Sequence, residues 1–270
     1  MSRKTNKNMS ENFKMIAKTF YGFEDILSEE LLALGAQKIN KGNRNVSFYG
    51  DKGFLYKSNL SLRTALKILK PVCEFRFKDI NEYYDNIYNF KWEDYIGPTG
   101  SFLINSVVFH SHVFNNSKFT SLKAKDAIVD RFRDKFKKRP SINSFNPELR
   151  IEIHVNRNTC TISLDSSGES LHKRGYKKYN SAAPLNEVLA AGIVLMSKWD
   201  KKSDLLDPMC GTGTFLIEAA MIAKNIAPNL NRLSFAFEKW KDWDNELFEI
   251  IEESVRSKEI DFDYKLYGFD

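Results

Sequence analysis

Apolar and polar residues alternate over residues 13–20, the period-two pattern of a half-buried strand. After Tyr21-Gly22 the apolar spacing becomes helical through Phe23, Ile26, Leu27, Leu31 and Leu34, with Gly35 placed to end the helix. Strand-like pieces follow at residues 37–41 and 45–49. Asp51 then opens a second helix carrying Phe54, Leu55, Leu60, Leu62 and Ala65, and a strand spans residues 72–77. The order β-α-β-β-α-β over residues 13–79 predicts a ferredoxin-like unit. The polar start, residues 1–12, is assigned to a disordered tail.

From residue 80 the pattern predicts a second α+β unit, ending near residue 168. It holds a helix at 81–90, a strand at 101–109 and an amphipathic helix at 121–136. That helix has Leu122, Ile128, Val129, Phe132 and Phe136 on one face. Its other face and the residues just beyond carry Lys123, Lys125, Arg131, Arg133, Lys135, Lys137, Lys138 and Arg139. Strands at 148–156 and 159–166 flank a hairpin-like turn, Arg157-Asn158. A basic, aromatic linker over residues 169–182 contains Lys173, Arg174, Tyr176, Lys177, Lys178 and Tyr179 and is expected on a partner-facing surface. An apolar helix from Ala183-Pro184-Leu185 to Trp199 precedes the most informative stretch, residues 205–220. There a buried strand meets Asp207, a turn with two glycines, and another apolar helix. A polar and aromatic insertion, residues 225–243, then leads to a helix through Leu247, Ile250, Ile251 and Val255 and a strand at 264–270.

Composition narrows the class. A chain of 270 residues with 42% hydrophobic and 13% aromatic content can bury more than one core. The formal charge of +6 and a pI near 9.0 suit a polyanionic partner. No apolar run reaches membrane-spanning length, and the polar start lacks a signal-peptide core. Cys73, Cys160 and Cys210 form neither a zinc pattern nor a disulfide framework, which favours a reducing cytoplasm. His110 and His112 share one side of a predicted strand, but no third metal ligand lies near them, so they read as structural histidines.

Three ligand classes compete for the turn Asp207-Pro208-Met209-Cys210-Gly211-Thr212-Gly213-Thr214. A phosphate-binding P-loop needs four residues between its glycines and then Gly-Lys-Ser/Thr, none of which is here. A dinucleotide turn needs a third glycine where Leu216 stands. S-adenosylmethionine has no phosphate; it needs backbone room and an acid for its ribose hydroxyls, which Asp270 supplies at the end of the last strand. Glu218 reads as a helix-surface residue or local hydrogen-bonder, and Cys210 as a small residue in a crowded turn.

These motifs, with Ile217-Glu218-Ala219-Ala220, resemble motif I of RNA methyltransferases that carry a THUMP domain, most closely the RlmL/YpsC-type 23S rRNA guanine-N2 methyltransferase family. The likeness extends to residues 170–176, to Ala183-Pro184-Leu185, and to Phe54-Leu55-Tyr56 with residues 61–65. It implies an α+β fold with ferredoxin-like and THUMP units, followed by the start of an α/β Rossmann-like methyltransferase domain over residues 183–270. It further implies that Asp207, Pro208 and the segment Cys210, Gly211, Thr212, Gly213, Thr214 line the methionine side of S-adenosylmethionine. Asp270 would hold the ribose, Pro184 and Leu185 would border the pocket, and Lys173, Arg174, Tyr176, Lys177 and Lys178 would face structured RNA.

The family's Asn/Asp-Pro-Pro-Phe/Tyr loop, which positions the target amine, needs two adjacent prolines. The seven prolines here are nowhere adjacent, so catalytic residues are not assigned. The expectation is that the chain is the N-terminal portion of a longer enzyme acting on guanine N2 of 23S rRNA. Alternatives are a tRNA guanine-N2 or adenine-N6 methyltransferase, or a non-catalytic RNA-binding module.

Overall fold

The computed structural model describes residues 11–177 and 185–270. Its first unit comprises β1 (Phe13–Lys18), α1 (Glu24–Leu34), β2 (Gln37–Gly42), β3 (Asn45–Gly50), α2 (Lys52–Ser61) and β4 (Lys67–Arg76). The strand order β2-β3-β1-β4, antiparallel throughout, is the ferredoxin-like arrangement the sequence predicts. Local chemistry sets the helix ends. Gly35 takes φ 97° after α1, a left-handed value that costs glycine little. The Asp51 carboxylate accepts the Phe54 N–H at 2.8 Å and caps α2.

Two boundaries differ from expectation. The second helix stops at Ser61, so Leu62 and Ala65 are buried but not helical. The Glu30 carboxylate accepts the Arg63 and Thr64 amides at 2.8 and 3.0 Å, and this competes with continuation of the helix. Strand β4 begins five residues before position 72. Pro71 reads as a breaker in sequence but sits where the register shifts, as proline does at a bulge.

The second unit adds α3 (Ile80–Asn89), a 3-10 turn at Trp92–Asp94, β5 (Ser101–Phe109), α4 (Ser117–Phe136), β6 (Ser141–Ile142), β7 (Leu149–Asn156) and β8 (Thr159–Asp165). Asn116 accepts the Lys118 and Phe119 amides, so α4 starts one turn earlier than its apolar pattern suggests. Its buried stripe runs through Ala124, Ala127, Ile128, Val129 and Phe132, while Leu122 is exposed. His110 and His112 lie beyond the end of β5, exposed in a loop, with His110 at φ 49°. They are therefore not paired on a strand, and no group of three metal-ligating side chains forms among the described residues.

The structure also shows how the two units are joined, which the sequence reading left open. β4 pairs antiparallel with β8, from Leu69 opposite Asp165 to Arg76 opposite Thr159. The two units therefore share one eight-stranded sheet, β2-β3-β1-β4-β8-β7-β5-β6, and their buried side chains form one cluster. The pairing removes what would otherwise be an open edge on ten-residue β4.

The last third contains α5 (Glu187–Met196), β9 (Leu205–Asp207), α6 (Thr214–Ala223), a 3-10 turn at Ala236–Lys239, α7 (Asn245–Arg256) and β10 (Leu266–Gly268). Helix α5 begins after the cap Asn186 and ends before Trp199, shorter than its apolar run. β9 and β10 form a parallel pair of three residues each, with Leu206, Tyr267 and Phe269 exposed. Among the described residues no helix is long and apolar enough to cross a membrane. The insertion folds back onto α2 through aromatic rings. Tyr56 stacks on Phe237 at 4.7 Å and meets Trp243 edge-on at 5.2 Å, and Phe248 lies 5.8 Å from Phe237.

Phe237 is fully buried in this cluster. Phe237→Ala should cost about 3–5 kcal/mol in urea unfolding, the usual range for emptying a large aromatic site. A loss under about 1 kcal/mol would show that the insertion packs only loosely on the first unit.

Candidate functional site

The glycine turn grows from β9 as a parallel strand ends and a helix begins. Gly211 and Gly213 adopt φ 50° and 73°, and a Cβ on either would meet no atom within 4 Å. Both positions thus require left-handed backbone and border open space. Gly213 occupies the N-cap of α6, and no side chain caps that helix end. The first amides of α6 are therefore left for a ligand or water. The turn closes by Gly213 N–H donating to the Cys210 carbonyl at 2.7 Å.

Asp207 ends β9. One carboxylate oxygen accepts the Met209 amide at 3.2 Å, while Oδ2 is buried with no partner among the described residues. Unpaired buried carboxylate oxygens are costly, and one facing a ligand is a common reason for them. Asp270 is brought to the same place: its Oδ1 accepts the Gly211 amide at 3.3 Å. The Cys210 amide donates to the Phe269 carbonyl at 2.8 Å, and the Phe269 amide donates to the Asp207 carbonyl at 3.0 Å. The structure thus joins Asp207, Cys210, Gly211, Gly213 and Asp270 in one small assembly. Thr212 and Thr214 lie within it, their hydroxyls 3.2 Å apart. Pro208 is exposed on its rim.

The third glycine has an equivalent that the sequence did not announce. A Cβ on Gly268 of β10 would lie 2.6 Å from Leu216 Cδ1 and 2.9 Å from Cys210 Sγ. The room that lets α6 approach the sheet comes from the neighbouring strand, and Leu216 fills it. Glycine inside a strand pattern was the available signal.

Leu185 is half-buried and lines a cavity of about 380 Å³ with His172, Lys177 and Glu187, away from the glycine turn. Pro184, Lys178, Tyr179 and Ala183, and most of the expected disordered tail, lie outside the described residues.

The basic linker is corrected most. Arg174 was placed on a partner-facing surface, yet its side chain is fully buried. Its guanidinium donates to Glu218 at 3.4 Å, to the Leu171 and Arg63 carbonyls at 2.8 and 2.6 Å, and to Asn229 Oδ1 at 3.3 Å. The Tyr176 hydroxyl also donates to Glu218, at 3.0 Å. Lys177 pairs with Glu187 at 2.9 Å, so among the described linker cations only Lys173, paired with Glu169 on the surface, keeps an exposed head group. Glu218, read as a surface residue or local hydrogen-bonder, is the second of these: it is buried on the inward face of α6. Burial pushes its carboxyl pKa up, opposed by the charge of Arg174 and the Tyr176 hydrogen bond.

A two-part α+β platform joined to a strand–glycine turn–helix, with an acid closing the next strand, defines an architecture: a strand–helix–strand segment with an open glycine turn, carried on an α+β body. Comparison with known proteins gives the family. Residues 174–270 match the RMKL-like methyltransferase domain, residues 77–165 the THUMP domain, and residues 14–69 the RlmL ferredoxin-like domain. The ribosomal RNA large subunit methyltransferase K/L of Cellvibrio japonicus (strain Ueda107) is 40% identical over 241 residues, covering 88% of this chain and 32% of that protein. A possible methylase from Clostridium difficile 630 superposes with TM-score 0.84 at 31% identity, covering 96% of this chain and 68% of that one. SMU.472, assigned as a methyltransferase and solved with SAH, gives 0.84 at 33% identity, covering 97% and 69%. The chain belongs to the RlmL-type family of THUMP-containing methyltransferases. It spans about a third of the length of the curated K/L relatives it matches.

Arg174→Ala leaves Glu218 buried without its guanidinium. The loss should be about 3–5 kcal/mol near pH 8, the usual penalty for breaking a buried pair. Removing Arg174 raises an already raised carboxyl pKa further, so the deficit is largest where Glu218 must ionise. It should shrink as pH falls through the folded pKa towards the unfolded value of about 4.3. Urea melts at pH 5 and pH 8 check this; equal deficits at both would rule out an ionised Glu218.

Proposed function

We propose that this chain is the RNA- and cofactor-binding portion of an S-adenosylmethionine-dependent RNA methyltransferase of the cytoplasm, acting on guanine N2 of 23S rRNA. The observation that carries the cofactor is the partnerless, buried Asp207 Oδ2 beside two left-handed glycines with open space above them. These residues fit S-adenosylmethionine. Gly211 and Gly213 leave backbone room for its methionine end, and the uncapped amides of α6 suit a carboxylate. Asp207, Pro208, Cys210, Thr212 and Thr214 complete that side, and Asp270 offers a carboxylate to ribose hydroxyls. Pro184 and Leu185 are proposed to border the site. When bound, S-adenosylmethionine supplies an electrophilic methyl group on a sulfonium.

Support for the cofactor also comes from the SAH carried by SMU.472, since SAH is what remains once S-adenosylmethionine has lost that methyl. Support for rRNA comes from the name of the Cellvibrio relative. On the RNA side, Lys173 and Lys178 are proposed to face structured RNA, with Arg174, Tyr176 and Lys177 shaping the linker that presents them. No residue of this chain is assigned to the target amine, because its seven prolines are never adjacent.

Isothermal titration of the chain with S-adenosylmethionine tests the turn. Gly211→Val and Gly213→Val should each weaken binding at least about tenfold, because a β-branched residue is strained by roughly 1–2 kcal/mol in left-handed backbone and fills the open space. RNA affinity should stay within about twofold. Unchanged cofactor affinity in both variants defeats the pocket. Mass spectrometry of 23S rRNA nucleosides from a deletion strain should show one N2-methylguanosine lost; an unaltered set of methylguanosines defeats the rRNA assignment.

A further inference from the structure

We propose that the groove between the 143–150 loop and the 232–239 segment of the insertion is a binding site for single-stranded RNA. In it Phe145 stacks on an unpaired base while Arg150 and Lys239 hold the flanking phosphates. The inference rests on the RNA-binding reading above and assigns that reading a site the sequence did not indicate.

The groove encloses about 320 Å³, at the lower end of what small organic groups occupy in pockets. Its walls come from three parts of the chain: the loop before β7, the linker, and the insertion. Phe145 stands 92% exposed at the loop's tip, although the loop is held firmly. Asn143 Oδ1 accepts both the Phe145 and Asn146 amides at 3.0 Å, and Arg150 donates to the Phe145 carbonyl at 3.1 Å. Lys239 crosses the groove to Asn146 and to the Pro147 carbonyl. A fixed aromatic ring presented to water gives the fold no packing energy and offers a ready face for stacking.

Charge points the same way. Arg150, Arg232 and Lys239 line the groove, and no carboxylate lies within ion-pair distance of any of them among the described residues. The one acid in the lining, Glu169, is engaged by Lys173 at 2.9 Å. Burial, then the nearby Arg150 charge, lowers the Lys239 pKa, against the smaller opposing effect of Glu148 and Glu238. Arg232 is the most committed, donating to the carbonyls of Ser167, Glu169, Ser170 and Lys173, whereas Arg150 and Lys239 brace the loop with one and two bonds and keep further N–H groups for a ligand. Cations without a direct ion-pair partner beside an exposed aromatic match the pairing that single-stranded nucleic acids require: phosphates on cations, a base on a ring. An acidic peptide would use the cations but has no need of the ring.

The test is fluorescence anisotropy of the intact chain with a fluorescein-labelled twelve-nucleotide single-stranded RNA and with its duplex, across a salt series. Phe145→Ala should weaken the single strand by about five- to a hundredfold, as loss of one base–aromatic stack does, and leave the duplex within about twofold. Arg150→Gln with Lys239→Gln should reduce the magnitude of the log–log salt slope by about 1.4, at roughly 0.7 per phosphate contact. If the unsubstituted chain binds neither RNA, the wider RNA reading fails and this one with it. If it binds but neither variant alters affinity or slope, the groove alone is refuted. A changed slope with no effect of Phe145→Ala refutes the single-stranded base contact. Displacement by polyglutamate as effective as by unlabelled RNA would assign the groove to an acidic protein.

Discussion

Arg174 and Glu218 form a buried ion pair on which the relation between glycine turn and platform depends. Taking both charges out of water is expensive, and their separation of 3.4 Å alone does not offset that cost. The surroundings do. Arg174 reaches three further oxygens, one of them the carbonyl of Arg63. Arg63 in turn donates to the carbonyls of Met221, in the last turn of α6, and Ile226, just past it, at 3.2 and 2.9 Å, while Glu30 accepts its backbone amide. The fully buried Arg174 and half-buried Arg63 thus face the fully buried Glu218 and half-buried Glu30. The cluster ties together α1, the segment after α2, the linker and α6. A purely apolar contact here would allow neighbouring registers; hydrogen bonds of fixed direction allow one.

That fixed direction matters because α6 is also the helix that the glycine turn opens. Residues 216 and 218 are about 200° apart around a helix, so they face opposite ways. Leu216 fits against Gly268 of β10, and Glu218 enters the ion-pair cluster. One helix therefore packs on the sheet with one face and on the α+β body with the other. The orientation of the turn relative to that body is set within α6 itself. The aromatic contacts of Phe237 and Trp243 with Tyr56 then fasten the insertion to the same body from the other end.

Local geometry was legible in the sequence because it depends on neighbours in the chain. Gly35 and Asp51 marked helix ends correctly, and the pairing of Asp270 with the glycine turn followed from two strand-end acids in one motif. Long-range facts were not legible. Nothing in residues 67–76 announces that they pair with residues 159–165, so two units were expected where one sheet runs through both. Arg174 lay in a run of cations and looked like surface; its burial depends on Glu218, 44 residues away. The missing third glycine was read as evidence about the ligand alone. The structure shows that it is also a packing choice, with the space supplied by Gly268.

A net charge of +6 says that a polyanion is welcome but not where. The helix richest in cations is not the obvious place. On α4, Arg131 and Lys135 both bind Glu93, and the Arg131 hydrogen bonds hold that carboxyl well below the usual range. Arg133 pairs with Asp130 and Lys125 with Asp126. Much of that charge is already answered within the protein, and such exposed pairs contribute little to binding or stability. In the groove by Phe145 the count is reversed: fewer cations, but none in a direct ion pair among Arg150, Arg232 and Lys239, on a held loop and beside a ring. Attraction for phosphate follows the unanswered charge and not the total. The same groove is walled by the linker that Arg174 anchors. The groove wall and the α6 contact thus share one short segment of chain, held in place by Arg174.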